Sequence, residues 1–359
     1  MNDLEAAIVG HIERSGPIGF DEFVDHALYA PDLGFYSAGG GAGRRRDFLT
    51  SPEVGPLFGA VVARALDAWW GELGRPDPFG VVEVGAGPGT LARTILAAEP
   101  ACASALDLVL VEDAPVQWAS HPAGTTSRVD LPAPGERGPG PVVVLANELL
   151  DNLPFGLVEL AEGGWCEVVV GIRGRAEGAE GSRLAELLVP LEPRRAAWCW
   201  GKAGRGAAIG TRLPVQAAAA AWLDQALELA AGGRVVAIDY ASTTRAMAAR
   251  PWTEWVRTYA AHGRGRPPLE GPGSQDITIE VAVDQLASVA EPSVDRDQAA
   301  FLRAHGLDEL VAEGAAVWRE QGIGGGLAAI AGRSRVHEAE ALTDPAGLGA
   351  FRVLEWLAH

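Results

Sequence analysis

The stretch "FGVVEVGAGPGTLARTILAA", residues 79–98, constrains this chain more than any other. The β-branched run Val81–Val84 predicts a buried strand, and helical spacing from about Thr90 predicts a helix directly after it. Gly85, Gly87 and Gly89 supply the turn between them. A turn of this kind lets backbone approach a ligand closely and aims helix-terminal N–H groups at an anion. A purely structural turn is the alternative.

The same alternation continues downstream. "LDLVLVEDA", "PVVVLANELL" and "RVVAIDYA" are three further buried strands, the last preceded by an amphipathic helix over 214–231 that Gly232-Gly233 closes. Strands alternating with helices imply a parallel sheet with helices on both faces. Upstream, a helix running to about residue 15 and a second over Phe20–Leu28 lead into a long Gly-rich segment. Pro56–Trp70 follows with Leu57, Val61, Val62, Ala65 and Trp69 on one helical face.

What the glycine turn holds is narrowed by its neighbours. Gly87-x-Gly89-x-x-Ala92 formally fits a dinucleotide fingerprint. The strand runs into Gly85 rather than Gly87, however, and Pro88 occupies a position where a pyrophosphate turn needs a free N–H. The pattern Glu83-x-Gly85-x-Gly87-x-Gly89 suits S-adenosylmethionine instead, with Glu83 taking up the ammonium and Ala86 lying within the cradle. Glu112 ends the next strand, where a carboxylate accepts ribose hydroxyls in the doubly wound plan.

A second constellation is "VLANELLDNLPFG", residues 144–156, in which an apolar run stops at Asn147, Glu148, Asp151 and Asn152. A guanidinium is planar with five donors and suits paired carboxylates, so Glu148 and Asp151, on one face if the turn is helical, form a clamp for a cation. "NLPF" also loosely echoes sites that hold an amide or amino NH₂ through Asn152 and Pro154. The plain alternative is that Asn147 caps a helix whose N-terminus the acids suit. Asp239, Tyr240, Asp276 and Thr278 lie at or near other strand ends and are expected on the substrate side. In "RDFLTSPE", Asp47, Thr50 and Ser51 are either cofactor-covering or cap the next helix with Glu53; Arg44–Arg46 read as a solvated run.

Composition excludes some classes. With 47 acids against 29 bases the formal charge is −18, which speaks against nucleic acid as a partner. Three cysteines without paired spacing suggest a reducing compartment and no metal site. The first ten residues lack a signal-peptide pattern and no apolar run approaches the ~20 residues of a membrane span, so a cytoplasmic location is expected.

Over nearly its whole length the chain resembles the MidA-like methyltransferase family, whose mitochondrial members are complex I assembly factors. The resemblance is carried by "GFYS", "RDFLTSPEVGPLFG", "VVEVGAGPGTLARTIL", "LVLVED", "ANELLDNLPF", "GGRVVAIDYA", "GSQDITIEV", "QAAFLRAHGL" and "GLGAFRVLEW", in that order. Asn152, Ala241 and Glu280 depart from the family's common alanine, glycine and histidine. The resemblance implies an α/β, Rossmann-like class I methyltransferase fold: a mostly parallel seven-stranded sheet, an N-terminal helical extension, and insertions forming a smaller subdomain. The expected divisions are 1–60 for N-terminal helices and a cofactor-covering loop, and 61–243 for the core, with a charged insertion at about 161–212. An insertion over the active site would occupy 244–300, and the rest of the core sheet 301–359. It further implies S-adenosyl-L-methionine as cofactor and methylation of arginine in a partner protein, with a respiratory complex I subunit as the family's example. A homodimer, a small-molecule or amide N-methyltransferase, and a non-catalytic assembly chaperone are the other expectations carried forward.

Overall fold

The computed structural model describes residues 2–38, 50–136, 138, 140–173, 183–260, 263–321 and 326–358. Its centre is a seven-stranded sheet of β1 (Phe79–Val84), β2 (Leu106–Val111), β3 (Thr126–Arg128), β4 (Val142–Asn147), β5 (Arg234–Asp239), β6 (Val294–Asp297) and β7 (Arg352–Leu357). The spatial order is β6-β7-β5-β4-β1-β2-β3. The five strands from β3 to β5 run parallel, and β7 and β6 join antiparallel at the far edge. The sheet is therefore mixed. β6 lies inside the stretch 244–300 that the sequence assigned to an insertion.

Alternation along the strands fills two apolar layers, one on each face. Phe79, Val81, Val143 and Leu145 face a layer that includes Leu57, Val61, Leu66 and Trp69 of helix α1 (Pro56–Glu72). Val82, Val144, Val235 and Ala237 face the other, with Trp222 and Leu223 of the helix Ala217–Leu229. The face predicted for α1 is thus the one buried. The helix expected over 214–231 starts later, because Pro214 belongs to a strand, Arg212–Val215, paired with Gly156–Ala161.

The remainder builds the walls above the strand ends. Strands Gly156–Ala161, Gly164–Ile172, Leu184–Pro190 and Arg212–Val215, with Ile18–Gly19, make a second sheet where a charged insertion was expected. The region 244–300 carries a further small sheet in which Val256–Ala260 pairs antiparallel with Asp276–Ile279. The N-terminal helices Asp3–Ser15 and Phe20–Tyr29 bury Phe20, Phe23 and Leu28 against Val168 and Ile277 of these sheets and against Phe155, just before the strand Gly156–Ala161. Phe155 is fully buried against Phe20, with ring centroids 5.7 Å apart. Its truncation to alanine would cost about 3–5 kcal/mol. No helix among the described residues is long and apolar enough to cross a membrane.

Candidate active site

Two cavities open above the carboxyl ends of the parallel strands and meet at two residues. The first, about 330 Å³, is lined by Glu83, Gly85, Ala86, Gly87, Glu112 and Asn147, among others. The second, about 710 Å³, is lined among others by Asp151, Tyr240, Asp276 and Thr278. Glu148 and Asn152 line both. Both volumes fall in the range of small-molecule sites.

The first cavity is built by the glycine turn. Gly85 has φ 71°, and an added Cβ would stand 3.0 Å from Leu149, so a side chain there is opposed by both strain and space. Gly87, at φ 52°, donates its N–H to Glu112 Oε2 at 2.8 Å, while its carbonyl lies 2.9 Å from His121 Nε2. The turn is thereby fixed from both sides. Gly89 is the N-cap of the helix Thr90–Ala97 and does not line the cavity. Thr50 lines it, whereas Ser51 does not. Asp47 and the run Arg44–Arg46 lie outside the described residues.

This cavity fits S-adenosylmethionine on its own chemistry. Glu83 Oε2 and Asn147 Oδ1 are buried acceptors with no hydrogen-bond partner among the described residues. Burial pushes the Glu83 carboxyl up to about 8. An ammonium would satisfy those oxygens and favour the carboxylate. Glu112 also accepts from the Ala114 N–H, at 2.9 Å. With one N–H on each oxygen it keeps a lone pair on each for hydroxyl donors.

The second cavity begins where β4 ends. No helix follows Asn147, so it caps none, and the pair Glu148 and Asp151 does not share a helical face. The chain turns instead through Glu148 at φ 52°, a left-handed conformation that costs a non-glycine residue of order 1–3 kcal/mol. Asp239 holds that turn. Its Oδ2 accepts the N–H groups of Leu150 at 3.0 Å and Asp151 at 3.2 Å, and its Oδ1 accepts that of Tyr240 at 2.9 Å. Asp239 was expected on the substrate side, yet it lines neither cavity, because both its oxygens face backbone. Pro154 likewise lines neither.

The Glu148 carboxylate is aimed by its neighbours. Its Oε1 accepts from the Ser51 N–H at 2.9 Å and from Asn147 Nδ2 at 3.2 Å. Ser51 does not cap its helix through its side chain; its hydroxyl donates to Gln298 Oε1 at 3.0 Å. Across the cavity, Asp276 Oδ1 accepts from Asn152 Nδ2 at 3.0 Å and from the Tyr36 hydroxyl at 3.1 Å. Asp151 Oδ1, Asp276 Oδ2 and the Thr278 hydroxyl are buried without a hydrogen bond of ordinary geometry among the described residues.

Four buried acids thus crowd one turn, and their protonation is shifted accordingly. Burial pushes Glu148 up to about 8, with the Ser51 N–H pulling the other way. Burial pushes Asp151 up to about 7. Burial and then the charge of Asp151 push Asp276 up to about 8. Asp239 is driven well above the carboxylate range by burial and by Asp151 and Glu148. Such a cluster is relieved by a cation and not by an anion.

Sequence reasoning missed part of the lining. Tyr36 was seen only as a piece of "GFYS". Arg250 and Arg257 were not seen at all. They stand 30 and 23 residues from Glu280, which both of them bond, and only the pairing of Val256–Ala260 with Asp276–Ile279 brings Arg257 to the cavity.

Residues 61–299 match the model of a family described as S-adenosyl-L-methionine-dependent methyltransferases. The chain is 30% identical over 213 residues to a Drosophila melanogaster protein named protein arginine methyltransferase NDUFAF7 homolog, mitochondrial. That match covers 49% of this chain and 46% of the fly protein, so the chain spans less than half of it. The Danio rerio protein arginine methyltransferase NDUFAF7, mitochondrial, is 26% identical over 84% of this chain and 76% of its own length. Among solved structures, a likely methyl transferase from Burkholderia thailandensis bound to S-adenosyl-homocysteine aligns with a TM-score of 0.80 and 26% identity. The alignment covers 98% of this chain and 91% of that one. Both curated relatives are named as mitochondrial, which overturns the cytoplasmic location expected from the first ten residues.

Proposed function

The chain belongs to the MidA-like family of S-adenosyl-L-methionine-dependent methyltransferases, and from that premise we propose that its methyl acceptor is an arginine guanidinium of a partner protein. The observation that carries the reading is the second cavity, in which Asp151 and Asp276 keep buried oxygens without a hydrogen bond of ordinary geometry among the described residues, and which meets the glycine-turn cavity at Glu148 and Asn152. Glu83, Gly85, Ala86, Gly87, Glu112, Asn147 and Thr50 would hold the cofactor, whose sulfonium would supply an activated methyl group and be left as a neutral thioether once the S–C bond is broken.

The remaining work falls to the chain's own groups. Asp151 and Asp276 hold two edges of the planar guanidinium by charge-assisted hydrogen bonds, with Thr278 and Tyr240 beside them. Glu148, through the oxygen not used by Ser51 and Asn147, orients the nitrogen nearest the first cavity. It takes up the proton which that nitrogen sheds once the new N–C bond has formed. Positioning and fixed charge account for the rate in this scheme. An amide acceptor is disfavoured, because the Asn152 amide is bonded to Asp276 and Pro154 lines no cavity.

The test is to incubate the protein with methyl-labelled S-adenosylmethionine and an extract of a strain lacking the gene, and to hydrolyse the labelled fraction. A complex I subunit is the first partner to look for. Label in methylarginine, absent with Glu148→Gln, is the expected result. Label in methylglutamine or in a small molecule would replace the reading. Cofactor binding with no transfer to any component would favour an assembly chaperone.

A further inference from the structure

The second cavity is bipolar. Against the acids of its floor stands a wall carrying Arg250, Arg257 and Glu280. Arg250 grips Glu280 with both terminal nitrogens, at 3.2 and 2.6 Å. Arg257 reaches the same carboxylate only at 3.3 Å; its Nε donates to the Glu254 carbonyl at 2.8 Å and its guanidinium lies 5.4 Å from the centre of the Tyr240 ring. Two guanidiniums therefore share one carboxylate within the cavity. An incoming carboxylate can draw Arg257 off Glu280 without leaving Glu280 unpaired, because Arg250 remains on it. The exchange strands no buried charge, which is the usual cost of breaking such a pair.

We propose that this wall reads a second feature of the substrate: an acidic side chain within three residues of the target arginine, met by Arg257. The proposal rests on the arginine reading above. The range follows from adjacency. Arg257 pairs across the strands with Thr278 and its guanidinium lies 5.4 Å from the centre of the Tyr240 ring, and an extended chain covers roughly 3.3–3.6 Å per residue. Three residues on either side of the arginine therefore span the gap from the acids to Arg257. The wall also explains why 710 Å³ is provided for a guanidinium that fills a small part of it. A neutral or basic neighbour would leave the extra positive charge of the wall without an answer, so specificity comes from both ends of the cavity.

The experiment uses the full chain, labelled S-adenosylmethionine, and an arginine-centred peptide library degenerate at three positions on each side, with the extract above as a second substrate source. The methylated fraction is sequenced. Asp or Glu should be enriched over Asn or Gln by about tenfold, equivalent to about 1.4 kcal/mol, at one or more positions. Arg257→Gln should flatten that enrichment and Arg257→Glu should turn it towards Lys and Arg. Binding of S-adenosyl-homocysteine and the thermal midpoint certify that each variant is folded, and the wild-type enrichment is a test on its own. Methylarginine without acidic enrichment, or enrichment indifferent to Arg257, overturns this proposal alone. Absence of methylarginine from both library and extract brings down the arginine reading and this one with it.

Discussion

Replacing Glu148 by glutamine should make the protein inactive and more stable at once. Oε1 of Glu148 accepts from the Ser51 N–H and from Asn147 Nδ2. The carbonyl oxygen of the introduced amide must take that place, which turns its NH₂ towards the guanidinium. A donor then faces donors. The loss of a charge-assisted hydrogen bond, about 1.5–3 kcal/mol, together with the lost charge predicts a fall in transfer of roughly 10²–10³-fold. Stability moves the other way. Burial raises the carboxyl from 4.5 to about 8 in the folded chain. A carboxyl whose folded value lies above its unfolded value opposes folding increasingly as pH climbs from one to the other. At pH 7.5 that opposition is up to about 4 kcal/mol, and its removal raises the thermal midpoint of a chain of this length by about 5 °C. Initial rates of label transfer and thermal melts at pH 7.5 check both halves. A variant that transfers normally, or that melts lower than wild type, refutes the reasoning.

Glu83→Gln should weaken S-adenosyl-homocysteine roughly tenfold or more in calorimetry, since the ammonium loses a buried carboxylate, while peptide affinity is unchanged. Gln298→Ala leaves the Ser51 hydroxyl without its acceptor and loosens the N–H that lowers the Glu148 carboxyl. Its kcat should fall about tenfold, with the rising limb of the pH profile moved to higher pH and cofactor affinity intact; an unmoved limb would make Gln298 merely structural. Binding of an arginyl peptide should release protons near pH 7.5, because a cation favours the charged form of Asp151, raised to about 7, and of Glu148 and Asp276, raised to about 8. Affinity then climbs as pH rises through that window, while the stability of the free protein falls from the unfolded carboxylate values up to it. Calorimetry in buffers of different ionisation enthalpy reads the proton count, and uptake instead of release would contradict the assignment.

The glycine turn was legible from sequence because its determinants are local. A β-branched run, three glycines and a helical period specify strand, turn and helix within 20 residues, and Glu83 and Glu112 follow from strand ends. The turn at Glu148 was only half legible. Its residue types announced polar chemistry at a strand end, but the conformation, helical or not, depends on Asp239, 88 residues beyond Asp151, which grips the backbone of the turn. Asp239 itself was placed on the substrate side because a strand end looks the same whether its side chain meets ligand or backbone. The Arg250, Arg257 and Glu280 wall left no local trace. An antiparallel pairing brings Arg257 to it, and the polar, Gly- and Pro-rich composition of this region hid the strands that pair.

The central claim is that donor and acceptor occupy separate cavities that meet at Glu148. A crystal structure of the protein with S-adenosyl-homocysteine and an arginine-containing acceptor peptide tests it most directly. The account predicts the cofactor product against Glu83 and the glycine turn, and the guanidinium within hydrogen-bond distance of Glu148, Asp151 and Asp276, on the far side of Glu148 from Glu83. A guanidinium bound elsewhere, with those three carboxylates facing solvent or one another, would contradict it.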